Sequence, residues 1–210
     1  MTVASKPPQP TRRYPPETRR AMILDAAGAY IAEHGLDGAT AREIADRCGI
    51  STGALTHHFP TMDGLLAEAL RFASSRFTEE HLQRLETKAG ALERLHLFID
   101  SCLPDKPRAF AMWRLWLEYW AHAARNPGLA TVHTERHRVL RAAVERVIAE
   151  GVRRGEFRPV DASAVAIEFI GLLDGLGLQA AIRDEEVGVE TARALLHGML
   201  AARLLPPAEG

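Results

Sequence analysis

Residues 40–59, TAREIADRCGISTGALTHHF, constrain the fold more than any other stretch, because they encode two short helices with a tight turn between them. Thr40 is followed three positions later by Glu43, so its hydroxyl can accept from an orphan amide of the first turn while the carboxylate reaches back, a capping box. Ile44 and Ala45 supply a small apolar face. Gly49 provides the positive φ that ends the first helix, Ile50 plugs the turn, and Ser51 caps the second helix. Leu55 and Phe59, four apart, point inward, which leaves Thr52, Gly53, Thr56 and His57 on the outer edge. A glycine turn between two helices, with a small, hydroxyl-rich outer face, suits insertion into a DNA major groove. Short helix hairpins also serve as plain packing units, so the flanks decide.

Upstream, Ile23, Ala26, Ala27, Tyr30 and Ile31 recur at helical spacing and lay a third helix across the pair. Downstream, Pro60 stops the second helix, and Thr61 caps another that carries Leu65, Leu66, Ala69 and Leu70. With ILDAAGAYIAEHG, T-x-x-E-I-A at Thr40, G-I-S-x-G at Gly49 and HHFPTMDGLL in register, residues 19–70 resemble the amino-terminal domain of the TetR family of repressors. That resemblance implies Thr40, Ser51 and His58 on phosphates, and Thr52, Gly53, Thr56 and His57 on bases or backbone. Two positions depart from the family pattern. Thr56 stands where tyrosine is usual and Met62 where lysine is usual, so Arg12, Arg13, Arg19 or Arg42 would supply the missing phosphate contacts.

Composition bounds the rest. At 210 residues the chain is long enough for one large or two small domains, and its formal charge of −1 does not by itself announce a nucleic-acid partner. Distribution is more telling. The first twenty residues hold Lys6, Arg12, Arg13, Arg19 and Arg20 against the single acid Glu17, a local +4 placed where the helix-turn-helix begins. Pro7, Pro8, Pro10, Pro15 and Pro16 predict disorder in the isolated arm, and basic arms of this kind order on phosphate. Cys48 and Cys102 read as small apolar packing groups rather than a redox pair. The first residues carry no apolar signal run, and the most hydrophobic helix, over 162–182, is interrupted by Glu168, Asp174 and Gln179. A cytoplasmic protein without a membrane span is expected.

Beyond Leu70 the spacing predicts helix after helix and no strand, hence an all-α fold. The organisation expected is a basic, proline-rich arm over 1–16, a helix-turn-helix domain over 17–61, a connecting helix over 62–88, and a ligand-binding and dimerisation domain over 89–210. Helix ends fall at residues 89–90, at a turn over 103–107 capped by Asp105, at Asn126-Pro127, and at Asp161.

The helix over 162–182 is apolar nearly all round, which means buried nearly all round. Val165, Phe169, Leu172, Leu173 and Leu176, with Leu195, Leu196 and Met199 of the last helix, would form a four-helix seam across a two-fold axis, as in TetR-like dimers. A pocket is sought on the helix over 108–125, where Phe110, Trp113, Trp116, Leu117 and Trp120 share a stripe with Tyr119 at its margin. Such rings can stack a ligand or hold a cation over their faces, although an aromatic stripe is more often plain core. Phe98, Trp113, Trp116, Trp120, Glu168 and Phe169 are the expected ligand contacts, with Glu168 as the orienting charge. Asp174, before Gly175, is expected in a structural hydrogen bond. His133 and His137 in HTERH have ligand spacing, but Thr134 occupies the glutamate position of a zinc-protease motif, and both are expected to face water with no metal.

GEFRPVD at Gly155 and LLDGLGLQ at Leu172 resemble the carboxy-terminal pattern of a TetR branch that includes choline- and pyrimidine-sensing repressors. The two resemblances together imply a homodimeric repressor released from a palindromic duplex operator by a small molecule, with no cofactor. The rival is a helical small-molecule binder or enzyme with a vestigial helix-turn-helix. No nucleophile–base pair, phosphate loop or complete metal set supports an enzyme.

Overall fold

The computed structural model describes residues 14–35, 39–87, 90–125 and 127–206, and within these the backbone forms nine helices and no strand. Helix α1 (Pro16–His34) begins with proline in its first turn, where a missing N–H is harmless. Helix α2 (Ala41–Cys48) ends at Gly49, whose φ of 65° is the left-handed value that glycine adopts without strain. Helices α3 (Thr52–His58) and α4 (Met62–Leu85) follow, each opened by a hydroxyl cap at Ser51 and Thr61. The remainder is α5 (Ala91–Cys102), α6 (Pro107–Ala123), α7 (Pro127–Arg153), α8 (Ala162–Ala181) and α9 (Val189–Leu204).

Three apolar clusters organise these helices. One joins α1, α2, α3 and the start of α4 through Ile23, Ala27, Ile44, Leu55, Phe59 and Leu65. A larger one joins α5, α7, α8 and α9 through Leu95, Phe98, Val144, Ile148, Phe169 and Leu196. The third is the junction. Ile31 of α1 and Leu66 and Leu70 of α4 pack there against Leu115, Trp116 and Tyr119 of α6 and Val132 of α7. Helix α4 therefore belongs to both halves, and α6 touches the helix-turn-helix domain directly.

Two local expectations change. Asp105 does not cap α6: Lys106 holds the cap position without a side-chain bond, and the Asp105 carboxylate instead lies 3.6 Å from Arg193. The expected cap at Asn126 lies outside the described residues. Helix α8 has the length and composition of a membrane span, with a mean hydropathy of 1.5, yet half of that window is buried inside the protein. It packs against α6, α7 and α9.

Candidate nucleic-acid interface and ligand pocket

The helix-turn-helix is held by its own caps. The Thr40 hydroxyl accepts from the Glu43 amide at 3.3 Å and donates to Oε2 of Glu43 at 2.7 Å, while the Thr40 amide donates to the same oxygen at 3.1 Å. These bonds, the hydroxyl foremost, hold the Glu43 carboxyl below the usual range. At the next helix the Ala54 amide donates to Oγ of Ser51 at 3.2 Å. Each such cap is worth about 1 kcal/mol. Leu55 and Phe59 are buried, as their spacing requires, and Thr52, Gly53, Thr56 and His57 are exposed. The Thr56 hydroxyl donates to the Thr52 carbonyl at 2.8 Å, so its proton is engaged and its oxygen is left as an acceptor. Arg42 is also exposed, and His58 is half-buried. Arg12 and Arg13 lie outside the described residues.

Arg20 does a job that local pattern alone does not reveal. Its guanidinium donates to the His58 carbonyl at 3.2 Å, pairs with Glu68, and stacks over Phe59 at 4.4 Å from the ring centroid. It clamps α1 to the end of α3 and to α4. Met62, in the position where lysine is usual, packs its thioether against the same core.

In the carboxy-terminal half, Trp113, Trp116 and Trp120 do converge, and they line a cavity with Phe77, Leu140 and Asp174. Its free space is only ≈ 10 Å³, about one water. Trp113 is anchored by an Nε1 donation to the Cys102 carbonyl at 2.8 Å. Burial pushes the Cys102 thiol up to about 12, and both cysteines are free thiols. Phe98 and Phe169 do not line this cavity: both are fully buried in the larger core, 6.0 Å apart. Glu168 is corrected more sharply, since it lies exposed and pairs with Arg203 at 3.0 Å. Phe110 lies apart from the cavity, under the Arg183 guanidinium.

Of the two histidines of HTERH, His133 is half-buried and His137 does not face water. His137 is 4% exposed, with Nε2 at 2.6 Å from Asp174 and Nδ1 at 3.0 Å from the His133 carbonyl. The structural hydrogen bond expected of Asp174 is thus present. His133 accepts from Nε1 of Trp120 at 3.0 Å, and burial above all, then His137, lowers its pKa to about 4. Between them sits the residue missed in the sequence, Arg136. Its guanidinium lies over Trp116 at 4.4 Å from the centroid, and burial lowers its pKa while Asp174 acts in the opposite direction. The signal was available: Val132, Arg136, Leu140 and Val144 recur every four residues, placing a cation on an apolar stripe.

The expected seam also needs redrawing. Val165, Phe169, Leu173, Leu176 and Leu196 are buried within the single chain, so they build its core and cannot face a second copy. Leu172 and Met199 are half-buried. What α8 and α9 leave exposed is Ile167 at 54% and Leu195 at 51%, with Gly171 and Gly198 facing open space beside them.

Residues 91–205 match the model for the BetI-type transcriptional repressor carboxy-terminal domain, and residues 23–69 match that for bacterial regulatory proteins of the tetR family. The chain is 30% identical over 179 residues to the HTH-type transcriptional regulator BetI of Cronobacter sakazakii, covering 84% of this chain and 86% of that one. To the BetI regulator of Escherichia coli O17:K52:H18 it is 28% identical over 188 residues, 89% of this chain and 94% of that protein. A transcriptional regulator from Saccharomonospora viridis, crystallised in complex with choline, superposes with a TM-score of 0.83 at 28% identity, over 91% of this chain and 99% of that one. A TetR transcription regulator from Haloarcula marismortui superposes with 0.81 at 27% identity, over 90% and 99%. These relatives are regulators and not enzymes. With the capped, outward-facing α3 as the second helix of its helix-turn-helix and both family patterns in chain order, this chain belongs to the TetR family of bacterial regulatory proteins, as a transcriptional regulator with a BetI-type carboxy-terminal domain.

Proposed function

We propose that the protein is a homodimeric repressor that leaves a palindromic operator when a small molecule binds beside Trp116, acting in the cytoplasm where the DNA is. The observation that carries this reading is the double position of Trp116. It lines the α6–α7–α8 cavity and also packs in the junction cluster with Ile31, Leu66 and Leu70. A ligand that shifts this indole therefore presses on α1 and α4, the helices that seat the helix-turn-helix. No long-range relay is needed. Tilting α4 in two copies would change the separation of their α3 helices, which a rigid duplex does not follow.

Thr52, Gly53, Thr56 and His57 are the proposed reading edge, with Thr40, Arg42, Ser51 and His58 at phosphates. The Thr40 hydroxyl already donates to Glu43, so its part is that of an acceptor and a positioner of α2. Arg12 and Arg13 are proposed to add phosphate contacts from the arm. Removing residues 1–13 should lower affinity for all duplexes and flatten the salt dependence. An unchanged salt slope would remove the arm from the interface. The two-fold seam is assigned to the exposed strip around Ile167, Gly171, Leu195 and Gly198, with Leu172 and Met199 at its edge.

The test is selection of bound duplexes from a random pool. A near-palindrome with half-sites about one helical turn apart, ~34–36 Å or somewhat more, supports the reading. Recovery of unrelated sequences, or of a single unrepeated site, contradicts it.

A further inference from the structure

A cavity of ≈ 490 Å³ runs between α4 and α7, lined by Ser74, Thr78 and Leu82 on one side and Val132, Arg136 and Val139 on the other. Arg136 lines it and is at once a wall of the tryptophan cavity. Two polar atoms of its lining, Oγ1 of Thr78 and Nε of Arg136, are closed to solvent and have no hydrogen-bond partner, and the same holds for Nε1 of Trp116 in the adjoining tryptophan cavity. The two nitrogens are donors only, and the hydroxyl can donate. Asp174, whose charge acts on Arg136, is already engaged with His137 at 2.6 Å. A guanidinium resting on a ring face with its Nε orphaned, next to an orphaned hydroxyl in the same lining, calls for an acceptor.

We infer that this cavity is the effector site and that it takes a monoanionic carboxylate carried on an apolar body, with the acid group received by Arg136 and Thr78. The planar fork of arginine matches a carboxylate. The body of the ligand would lie along Leu82, Val132 and Val139, the last being 40% exposed. A quaternary ammonium is disfavoured at the same place, because the Trp116 face it would need is covered by a cation. Arg71 and Arg138 against Glu79 and Glu135 leave the rim neutral, so Arg136 alone sets the excess charge, which suits one negative charge better than two. This deepens the proposal of an effector acting on Trp116, here through the Arg136 guanidinium that rests on its ring, and rests on that proposal.

The test uses the full chain without DNA and four probes of one length: octanoate, octanol, octyl phosphate and octyltrimethylammonium. Calorimetry and thermal shift should show octanoate binding about tenfold or more tighter than octanol, with octyl phosphate weaker than octanoate and the ammonium weakest. Arg136→Met keeps an apolar stem on Trp116 and removes the donors, and should reduce octanoate to the level of octanol. Thr78→Val, nearly isosteric, should weaken octanoate several-fold and guards against a misfolded Arg136 variant. Equal affinity for octanoate and octanol, tighter binding of the phosphate, or no binding by any probe overturns the inference. So does ammonium binding that improves in Arg136→Met, which would make Arg136 the stopper of a cation site. Operator binding by the ligand-free protein is measured separately and stands or falls without these outcomes.

Discussion

The indole of Trp113 comes so close to the backbone of Gly177 that a Cβ on that glycine would stand 2.2 Å from Cζ2. The ring cannot retreat freely, because its Nε1 is bonded to the Cys102 carbonyl. This crossing sets the approach of α6 to α8 and hence the shape of the aromatic cavity. Gly177→Ala gains about 1 kcal/mol of helix propensity but adds a clash of the kind that costs roughly 1–3 kcal/mol. A lowered melting temperature is expected, by about 2–4 °C for each net kcal/mol. A variant that melts higher would show that the indole has room to move.

The redrawn seam separates two substitutions that the sequence alone would treat alike. Ile167→Glu or Leu195→Glu places a charge on the exposed strip, and should yield a folded monomer by light scattering with helical content intact. Leu196→Glu places it in a side chain with no exposure and should unfold the chain, at about 3–5 kcal/mol. An intact dimer in both Ile167→Glu and Leu195→Glu would move the interface elsewhere.

Acid sensitivity follows from His81, which is 2% exposed between α4 and α5. Its Nδ1 lies 2.8 Å from Oγ of Ser101, and burial above all, then Arg136, lowers its pKa to about 3 from 6.5. The folded form holds this imidazole neutral, while the unfolded chain takes up a proton below about 6.5. Its contribution is therefore complete above pH 6.5 and is lost as pH falls toward 3, by up to about 1.4 kcal/mol per pH unit. Melting measured from pH 7.5 to 5 should fall more steeply in the wild type than in His81→Gln. Parallel curves would assign the acid sensitivity to other groups.

Local features were the most legible in the sequence. The caps at Thr40 and Ser51, the left-handed Gly49 and the inward pair Leu55 and Phe59 depend on neighbours within four residues, and all stand where the spacing puts them. The faces of α8 were not legible for a physical reason. A helix apolar nearly all round carries no periodic signal for its orientation, so the spacing puts Leu173 and Leu176 at a two-fold seam when they belong to the core of the single chain. His137 owes its burial to Asp174, thirty-seven residues away, which no local spacing announces. Arg136 is the opposite case, a charge on an apolar stripe that was visible and passed over in favour of the flanking histidines.

The most direct test of DNA reading by α3 is fluorescence anisotropy on the selected operator and on a random duplex of equal length, at one fixed salt concentration. The wild type should prefer the operator by about a thousandfold or more. Thr56→Ala and His57→Ala should each lose about 1–3 kcal/mol, or roughly 5- to 150-fold, on the operator while binding the random duplex as before. Equal affinity of the wild type for the two duplexes, or an equal loss on both in these variants, would contradict the assignment of α3 as the reading helix.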